Sequence, residues 1–258
     1  MPATIHLHPT APLAERVLLP GDPGRALLLA QSLLSAPQMF NHNRGLWGYT
    51  GTAPDGEPLT IQSTGMGGPS AAIVIAELAE LGARSLLRVG TCGALAGSLA
   101  LGELLVASEA ICDDGTSRAL GAGDRALASP ELLAELARAA DGIVHRGVVA
   151  STDLFYDERE DRERRWLEAG AVAVEMETAT LFALAARRRL QAGSILIVSD
   201  LLRPARERIG QAALEDAEHR LGEIAARALA GRAPAPAQAV GQRSARAAGA
   251  GSSRSSAD

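Results

Sequence analysis

Residues 59–93 read LTIQSTGMGGPSAAIVIAELAELGARSLLRVGTCG, and the order of patterns in this stretch decides the fold. Leu59–Ser63 is a short apolar run of strand type. Gly65-Met66-Gly67-Gly68 follows, and Pro69 opens a helical pattern that runs to Leu81, with Gly82 just past its last turn. Ser85–Val89 is a second apolar run, and it also gives way to small residues, Gly90-Thr91-Cys92-Gly93. Strand, glycine turn, helix, strand is the repeating unit of an α/β domain.

The same alternation extends in both directions. Further strands are predicted at Arg16–Leu19, Tyr49–Ala53, Glu103–Ser108, His145–Ala150, Val172–Val174 and Ser194–Val198. Helices are predicted at Arg25–Leu34, Pro130–Ala140, Glu158–Glu168, Glu177–Arg188 and Ala212–Ala230. In Ala53-Pro54-Asp55-Gly56-Glu57, proline sets φ and glycine supplies a positive φ, which makes a hairpin turn and argues for a mixed sheet. The expected architecture is α/β: a single domain, residues 1–230, with a mixed central β-sheet flanked by helices. From about Arg232 the chain turns to Ala, Pro, Gly, Ser, Gln and Arg without apolar periodicity, so residues 231–258 are expected to form a disordered tail.

The 258 residues are 47% hydrophobic and 21% charged, a composition that can bury a core. All 25 basic residues are arginine, which excludes lysine Schiff-base chemistry and a phosphate loop of the Walker type. A net charge of −5 and a pI near 5.6 argue against non-specific nucleic-acid binding. Cys92 and Cys112 are too few for a disulfide framework or a four-thiolate zinc site, and the histidines form no HxxxH pair, so no metal is expected. Val89–Gly102, the longest uncharged candidate, stops at Glu103, too soon to span a bilayer. No basic and then apolar leader is evident, and a cytoplasmic location is expected.

Ligands of open α/β sheets bind beyond the carboxyl ends of the strands, so the residues after each strand carry the functional reading. Gly21-Asp22-Pro23-Gly24-Arg25 offers backbone N–H groups and an arginine at a helix start, where anions are favoured, although such a sequence also serves as a plain turn. Gly65 to Ser70 is again glycine-rich and again opens a helix. Arg88, at the end of an apolar strand, needs an anionic partner, either a phosphate or an internal carboxylate. With Thr91 it suggests a pocket for a phosphate dianion, which guanidinium forks suit. Glu175 and Glu177 could accept from paired sugar hydroxyls or could serve as helix N-terminal acids. Asp200, in Val198-Ser199-Asp200, could be a general acid or a helix N-cap.

These residues together resemble the trimeric and hexameric nucleoside phosphorylases, a family that includes bacterial purine nucleoside phosphorylase, uridine phosphorylase and archaeal methylthioadenosine phosphorylase. The resemblance is carried, in family order, by residues 17–25 (VLLPGDPGR), 43–51 (NRGLWGYTG), 65–70 (GMGGPS), 88–94 (RVGTCGA), 151–156 (STDLFY), 174–177 (VEME) and 198–200 (VSD). It implies that Gly21, Arg25, Arg88 and Thr91 bind inorganic phosphate, with Arg44 reaching the phosphate of a neighbouring subunit. It implies a nucleoside site of Met66, Phe155, Glu175, Met176, Glu177 and Ser199, and a neighbour's His6 at the 5′-hydroxyl, with His8 the alternative. Asp200 would protonate or hydrogen-bond purine N7.

The implied reaction is phosphorolysis of purine (deoxy)ribonucleosides to free base and (deoxy)ribose 1-phosphate by a homohexamer, with phosphate as co-substrate and no cofactor. A uridine or methylthioadenosine phosphorylase, or a phosphate-independent nucleosidase, is the alternative. Two departures stand out. The family's purine enzymes carry an arginine about one turn into the helix after Ser-Asp; here counting lands near Ala213, so either Arg203, with Arg206 or Arg208 as alternatives, assists Asp200 from the loop, or that assistance is missing. The Gln-x-Arg uracil clamp is also missing, and Asp157–Arg165 reads as a solvated helix face.

Overall fold

The unit read at residues 59–93 forms as strand, turn, helix and strand, and it lies at the heart of an eleven-stranded mixed sheet. The computed structural model describes residues 4–230 except 143 and 160; the expected tail, 231–258, lies outside the described residues. In chain order the elements are β1 (Arg16–Leu19), α1 (Pro23–Leu33), β2 (Ser35–Asn41), β3 (Gly48–Thr52), β4 (Pro58–Gln62), α2 (Gly68–Leu81) and β5 (Ser85–Ala94). There follow β6 (Leu104–Asp113), α3 (Gly115–Ala119), β7 (Arg125–Leu127), α4 (Pro130–Ala140), β8 (Val144–Thr152) and α5 (Arg162–Glu168). The last are β9 (Ala171–Glu175), α6 (Thr178–Arg188), β10 (Gln191–Leu201), β11 (Glu207–Arg208) and α7 (Gln211–Leu229).

The architecture is the expected α/β one. Three strands escape the sequence reading. β2 contains Pro37 and exposes most of its side chains, as an edge strand does; β7 and β11 are too short to show a period. The predicted helix at Glu158–Glu168 begins only at Arg162.

The topology makes a ring. β5 pairs with β10, β10 with β6, β6 with β8, β8 with β9, and β9 returns to β5. From β5 the sheet continues outward through β1, β4, β3 and β2. One edge of β5 therefore changes partner: it runs parallel with β1 as far as Arg88 and meets β9 only from Gly93. Between those pairings, residues 89–92 have no strand on that edge, and a crevice opens at the carboxyl end of the parallel strands, where such sheets bind ligands.

Helices cover both faces. α1, α4 and α7 bury Leu29, Leu132 and Leu221 on one side; α2 and α6 bury Val74, Leu78 and Phe182 on the other. Each such side chain contributes roughly 1.5–3 kcal/mol by leaving water. At the sheet end remote from the crevice, Arg16 grips the hairpin turn: Nη1 and Nη2 lie 2.5 and 2.6 Å from the Asp55 carboxylate, and Nη1 also donates to the Leu229 carbonyl at 3.1 Å. The N-terminal segment is held by Glu77 of α2, whose carboxylate accepts from the backbone N–H of Ile5, His6 and Leu7 and lies 2.7 Å from His6 Nδ1.

Candidate active site

The crevice widens into a cleft of about 860 Å³ lined from six strand ends. Gly21 and Arg25 come from the β1–α1 turn, Met66 from the β4–α2 turn, Arg88 and Thr91 from β5, Glu175, Met176 and Glu177 from the β9–α6 junction, and Ser199 and Asp200 from β10. Phe155 closes the list from the segment after β8. Residues widely separated in sequence are thus brought together as expected.

At one end the two arginines are buried. Asp22 caps α1 by accepting from the Gly24 N–H at 2.6 Å, so the turn ends with Arg25 inside the first helical turn. Arg25 Nε lies 2.6 Å from Glu218 Oε1 of α7; its terminal nitrogens have no partner among the described residues. Arg88 Nε donates to Glu175 Oε2 at 2.9 Å and Nη2 lies 2.5 Å from Glu177 Oε2. Both readings of Arg88 therefore hold at once: it is ion-paired inside the protein, and it faces the cleft. Burial disfavours its charge, but Glu177 and Glu175 outweigh burial and hold its pKa above the ordinary guanidinium value. Its head group lies across Gly90, where an added Cβ would sit 2.7 Å from Cζ; glycine is required by that close approach.

Glu175 and Glu177 part company. The Glu175 side chain is fully buried and its oxygens are taken: besides Arg88 it accepts from the backbone N–H of Glu177 and Thr178 at 2.9 Å and from the Ser151 hydroxyl. Glu175 thus lines the cleft while acting as the N-terminal acid of α6 and the anchor of Arg88, with its oxygens engaged by internal donors. Glu177 lines the cleft and accepts from the Gly67 N–H at 2.5 Å, a contact that depends on Gly67 adopting φ 85° ahead of α2. Burial pushes the Glu177 carboxyl above the ordinary carboxylate range; the Arg88 charge opposes this, Glu175 adds to it, and Arg25 opposes it more weakly.

At the other end Asp200 is the hub. It lies within β10 and not at a helix start, so the N-cap reading is overturned. The register of β10 on β5 shifts between Val198 and Asp200, which marks Ser199 as a bulge. Adjacent residues of a regular strand face opposite sides, but a bulge re-aims one, and here Ser199 and Asp200 both line the cleft. Ser199 Oγ lies 2.8 Å from Asp200 Oδ2. Oδ1 accepts from Arg206 Nε and Nη2 at 3.1 and 3.0 Å and lies 3.3 Å from Arg208 Nε. Arg203 is placed apart from Asp200: its Nε lies 3.2 Å from Glu163 Oε2, and the cleft lining includes Arg206 and Arg208 instead. The chain turns after Leu202 and returns as β11 antiparallel to β10, which pairs Arg208 with Asp200 in register and carries Arg203 away at the turn. Ala213 lies in α7, as counted.

Phe155 is half exposed, with Tyr156 edge-on at 5.0 Å and the Arg206 Cζ 4.8 Å from its ring centre. The segment 157–165 is not a uniformly solvated face. Arg162 is buried, bonded to Asp113 at 2.8 Å and to Asp157, and lies over Trp166. Contact with Arg159 and Arg162 pulls the Asp157 carboxyl well below the usual range. Cys92 also lines the cleft, but burial pushes its thiol far up, which makes it a poor nucleophile. Arg44 and His6 do not line the cleft of their own chain: Arg44 is exposed, and His6 is paired with Glu77. No group of three or more metal-ligating side chains occurs among the described residues.

A five-strand ring with an outward extension, and a cleft at its strand ends that unites buried arginines with buried glutamates, define a class of protein. The family model for the phosphorylase superfamily matches residues 15–230, and the chain belongs to that superfamily. It is 40% identical over 196 residues to the purine nucleoside phosphorylase DeoD-type of Alkaliphilus metalliredigens, an alignment covering 74% of this chain and 84% of that protein. It is also 40% identical over 188 residues to the guanosine phosphorylase of Halorubrum lacusprofundi, covering 71% and 77%. The crystal structure of uridine phosphorylase from Vibrio fischeri superposes with a TM-score of 0.74 at 31% identity, covering 84% of this chain and 92% of that one.

Proposed function

We propose that this protein is a purine nucleoside phosphorylase, a pentosyltransferase that converts purine (deoxy)ribonucleosides and inorganic phosphate to free base and (deoxy)ribose 1-phosphate. The observation that carries the reading is the pairing, within one cleft, of two buried guanidinium groups at one end with Asp200 and its arginines at the other. Phosphate is bound by Arg25, Arg88, Thr91 and the Gly21 backbone. Glu177 accepts from the sugar hydroxyls, Met66 and Met176 pack on the sugar, and Phe155 packs on the base.

In the reaction the C1′–N9 bond breaks and its electron pair goes to the purine. A proton passes from Asp200 to N7, and a phosphate oxygen bonds to C1′ from the opposite face, where it also stabilises the oxocarbenium character. The carboxylate left on Asp200 is received by Arg206 and Arg208, 3.0 and 3.3 Å away. The chemistry as written requires no metal and no organic cofactor. Arg44 and His6, outside their own cleft, serve an adjacent subunit in a homohexamer built as a trimer of dimers, in the cytoplasm; the exposure of Arg44 supports this.

Inosine and adenosine incubated with and without phosphate test the reading. Base release that depends on phosphate and yields ribose 1-phosphate is expected. Release without phosphate makes the protein a nucleosidase, and binding without turnover makes it a nucleoside-binding protein; either result overturns the proposal.

A further inference from the structure

The base end of the cleft carries an asymmetry of donors and acceptors. Both oxygens of Asp200 already accept, Oδ1 from Arg206 and Arg208 and Oδ2 from the Ser199 hydroxyl. Arg206 uses only Nε and Nη2, and Arg208 only Nε, among the described residues. Their remaining N–H groups are surplus donors beside the aspartate. Arg206 is further fixed by the Phe155 ring, 4.8 Å from its Cζ, so it stands where the stacking face for the base meets the proton donor for N7.

The two classes of purine differ on the edge presented there. A 6-oxopurine offers two neighbouring acceptors, N7 and O6; a 6-aminopurine offers the N7 acceptor beside an amino donor. With Asp200 giving its proton to N7, the atom next along the edge meets Arg206. An O6 acceptor completes a second hydrogen bond with a cation, whereas an N6 amino group sets donor against donor. The leaving base adds to the difference, because the electron pair it takes from the glycosidic bond raises the density on O6, which the guanidinium stabilises.

We propose that Arg206, held between Asp200 and Phe155, is the specificity-determining residue of this enzyme and makes 6-oxopurine nucleosides its substrate class. The proposal rests on the phosphorolytic reading above. It names a residue for which the chain pattern offers no marker, since Arg203, Arg206 and Arg208 are equivalent in sequence and only the turn before β11 selects among them.

The test is kcat/KM for inosine and for adenosine at saturating phosphate, in the wild-type protein and in Arg206→Ala. Wild type is expected to favour inosine by about tenfold or more, within the range reached by a site that bonds one substituent and opposes another. Arg206→Ala is expected to bring the ratio close to one, mainly through a fall in the inosine value. A role confined to holding Asp200 would lower both substrates alike and leave the ratio unchanged, which overturns the proposal, as does a wild type that prefers adenosine or treats the two equally. Should Arg206→Ala fail to fold, binding of hypoxanthine against adenine in the presence of inorganic phosphate, with which neither base reacts, decides instead, in the wild type and in Arg206→Gln. Tighter hypoxanthine binding supports the assignment and equal or weaker binding sinks it. If neither nucleoside is cleaved with phosphate, the phosphorolytic reading itself fails, an outcome separate from cleavage of both without preference.

Discussion

Arg25 and Arg88, at one end of the cleft, are 8% and 5% exposed, and each is fixed by carboxylates from another element. Phe155 and Tyr156, at the other, are 54% and 86% exposed and sit on a segment between strand and helix. The first end is made of strand termini and helix starts locked together by ion pairs. The second is formed by the segments that follow β8 and β10, with Asp200 buried within β10 between them. The difference matches the demands of the two substrates: phosphate is a single invariant ion, whereas nucleosides vary in their base. A preorganised site suits the former, and a more open site around one fixed carboxyl group suits the latter.

Substitutions at the rigid end should therefore unfold as well as inactivate. Arg88→Ala leaves Glu175 and Glu177 buried without their cation, a change worth about 3–5 kcal/mol. Thermal melting should show Tm lower by roughly 6–20 °C, at 2–4 °C per kcal/mol for a chain of this size. A melting curve like that of the wild type would mean the ion pairs contribute nothing to the frame. At the more exposed end Asp200→Asn should lower Tm by less than Arg88→Ala does, since the amide is isosteric and the arginines that lose their charged partner, Arg206 and Arg208, are themselves exposed. It should reduce kcat for purine release by roughly 100-fold or more through loss of proton transfer. Phosphate affinity should stay unchanged; equal activity in this variant removes Asp200 from the mechanism. Phe155→Ala should be milder again, raising KM for nucleoside by about tenfold through lost stacking, with kcat and KM for phosphate unaffected. A rise in the phosphate KM would show that the two ends are coupled.

How much of this contrast could be read from the chain depends on which end is considered. The rigid end lies where apolar strands stop at glycines, and the punctuation at Gly21, Gly65 and Gly90 is visible without a structure. Four of its expected residues, Gly21, Arg25, Arg88 and Thr91, line the cleft. Their carboxylate partners were not legible, because Glu218 lies on a helix far along the chain and nothing in its neighbourhood distinguishes it from Glu215 or Glu223. Glu175 and Glu177 sit at alternate positions around a helix start, and only the direction of the backbone there decides which of them is filled from within. At the more exposed end Asp200 could be found, but not the bulge that turns it and Ser199 to the same side. The choice of Arg206 over Arg203 comes from a turn fixed by pairing with β10, a tertiary fact with no local pattern.

The smallest effect concerns the remote end of the sheet and serves as a control on the comparison. The Arg16 fork holds the Asp55 carboxyl below its ordinary pKa. A carboxylate depressed on folding adds stability above its unfolded pKa, near 3.9, and loses it as the pH falls through the folded value. Acid unfolding followed by circular dichroism should therefore be shallower below about pH 4 in Asp55→Asn than in the wild type, with activity at neutral pH unchanged. Identical acid profiles would show that this clamp is not felt by the fold.

The extra residue at Ser199 also constrains how the sequence can change length. Upstream of it, along the paired part of β10, deleting a single amino acid would trade Asp200 to the opposite side of the sheet and silence the enzyme while leaving the continuously apolar character of the strand almost intact. Downstream, between Leu202 and Arg206, the chain can grow or shrink without disturbing that aim. Insertions that diversify the choice of base are thus tolerated on one side of Asp200 and forbidden on the other.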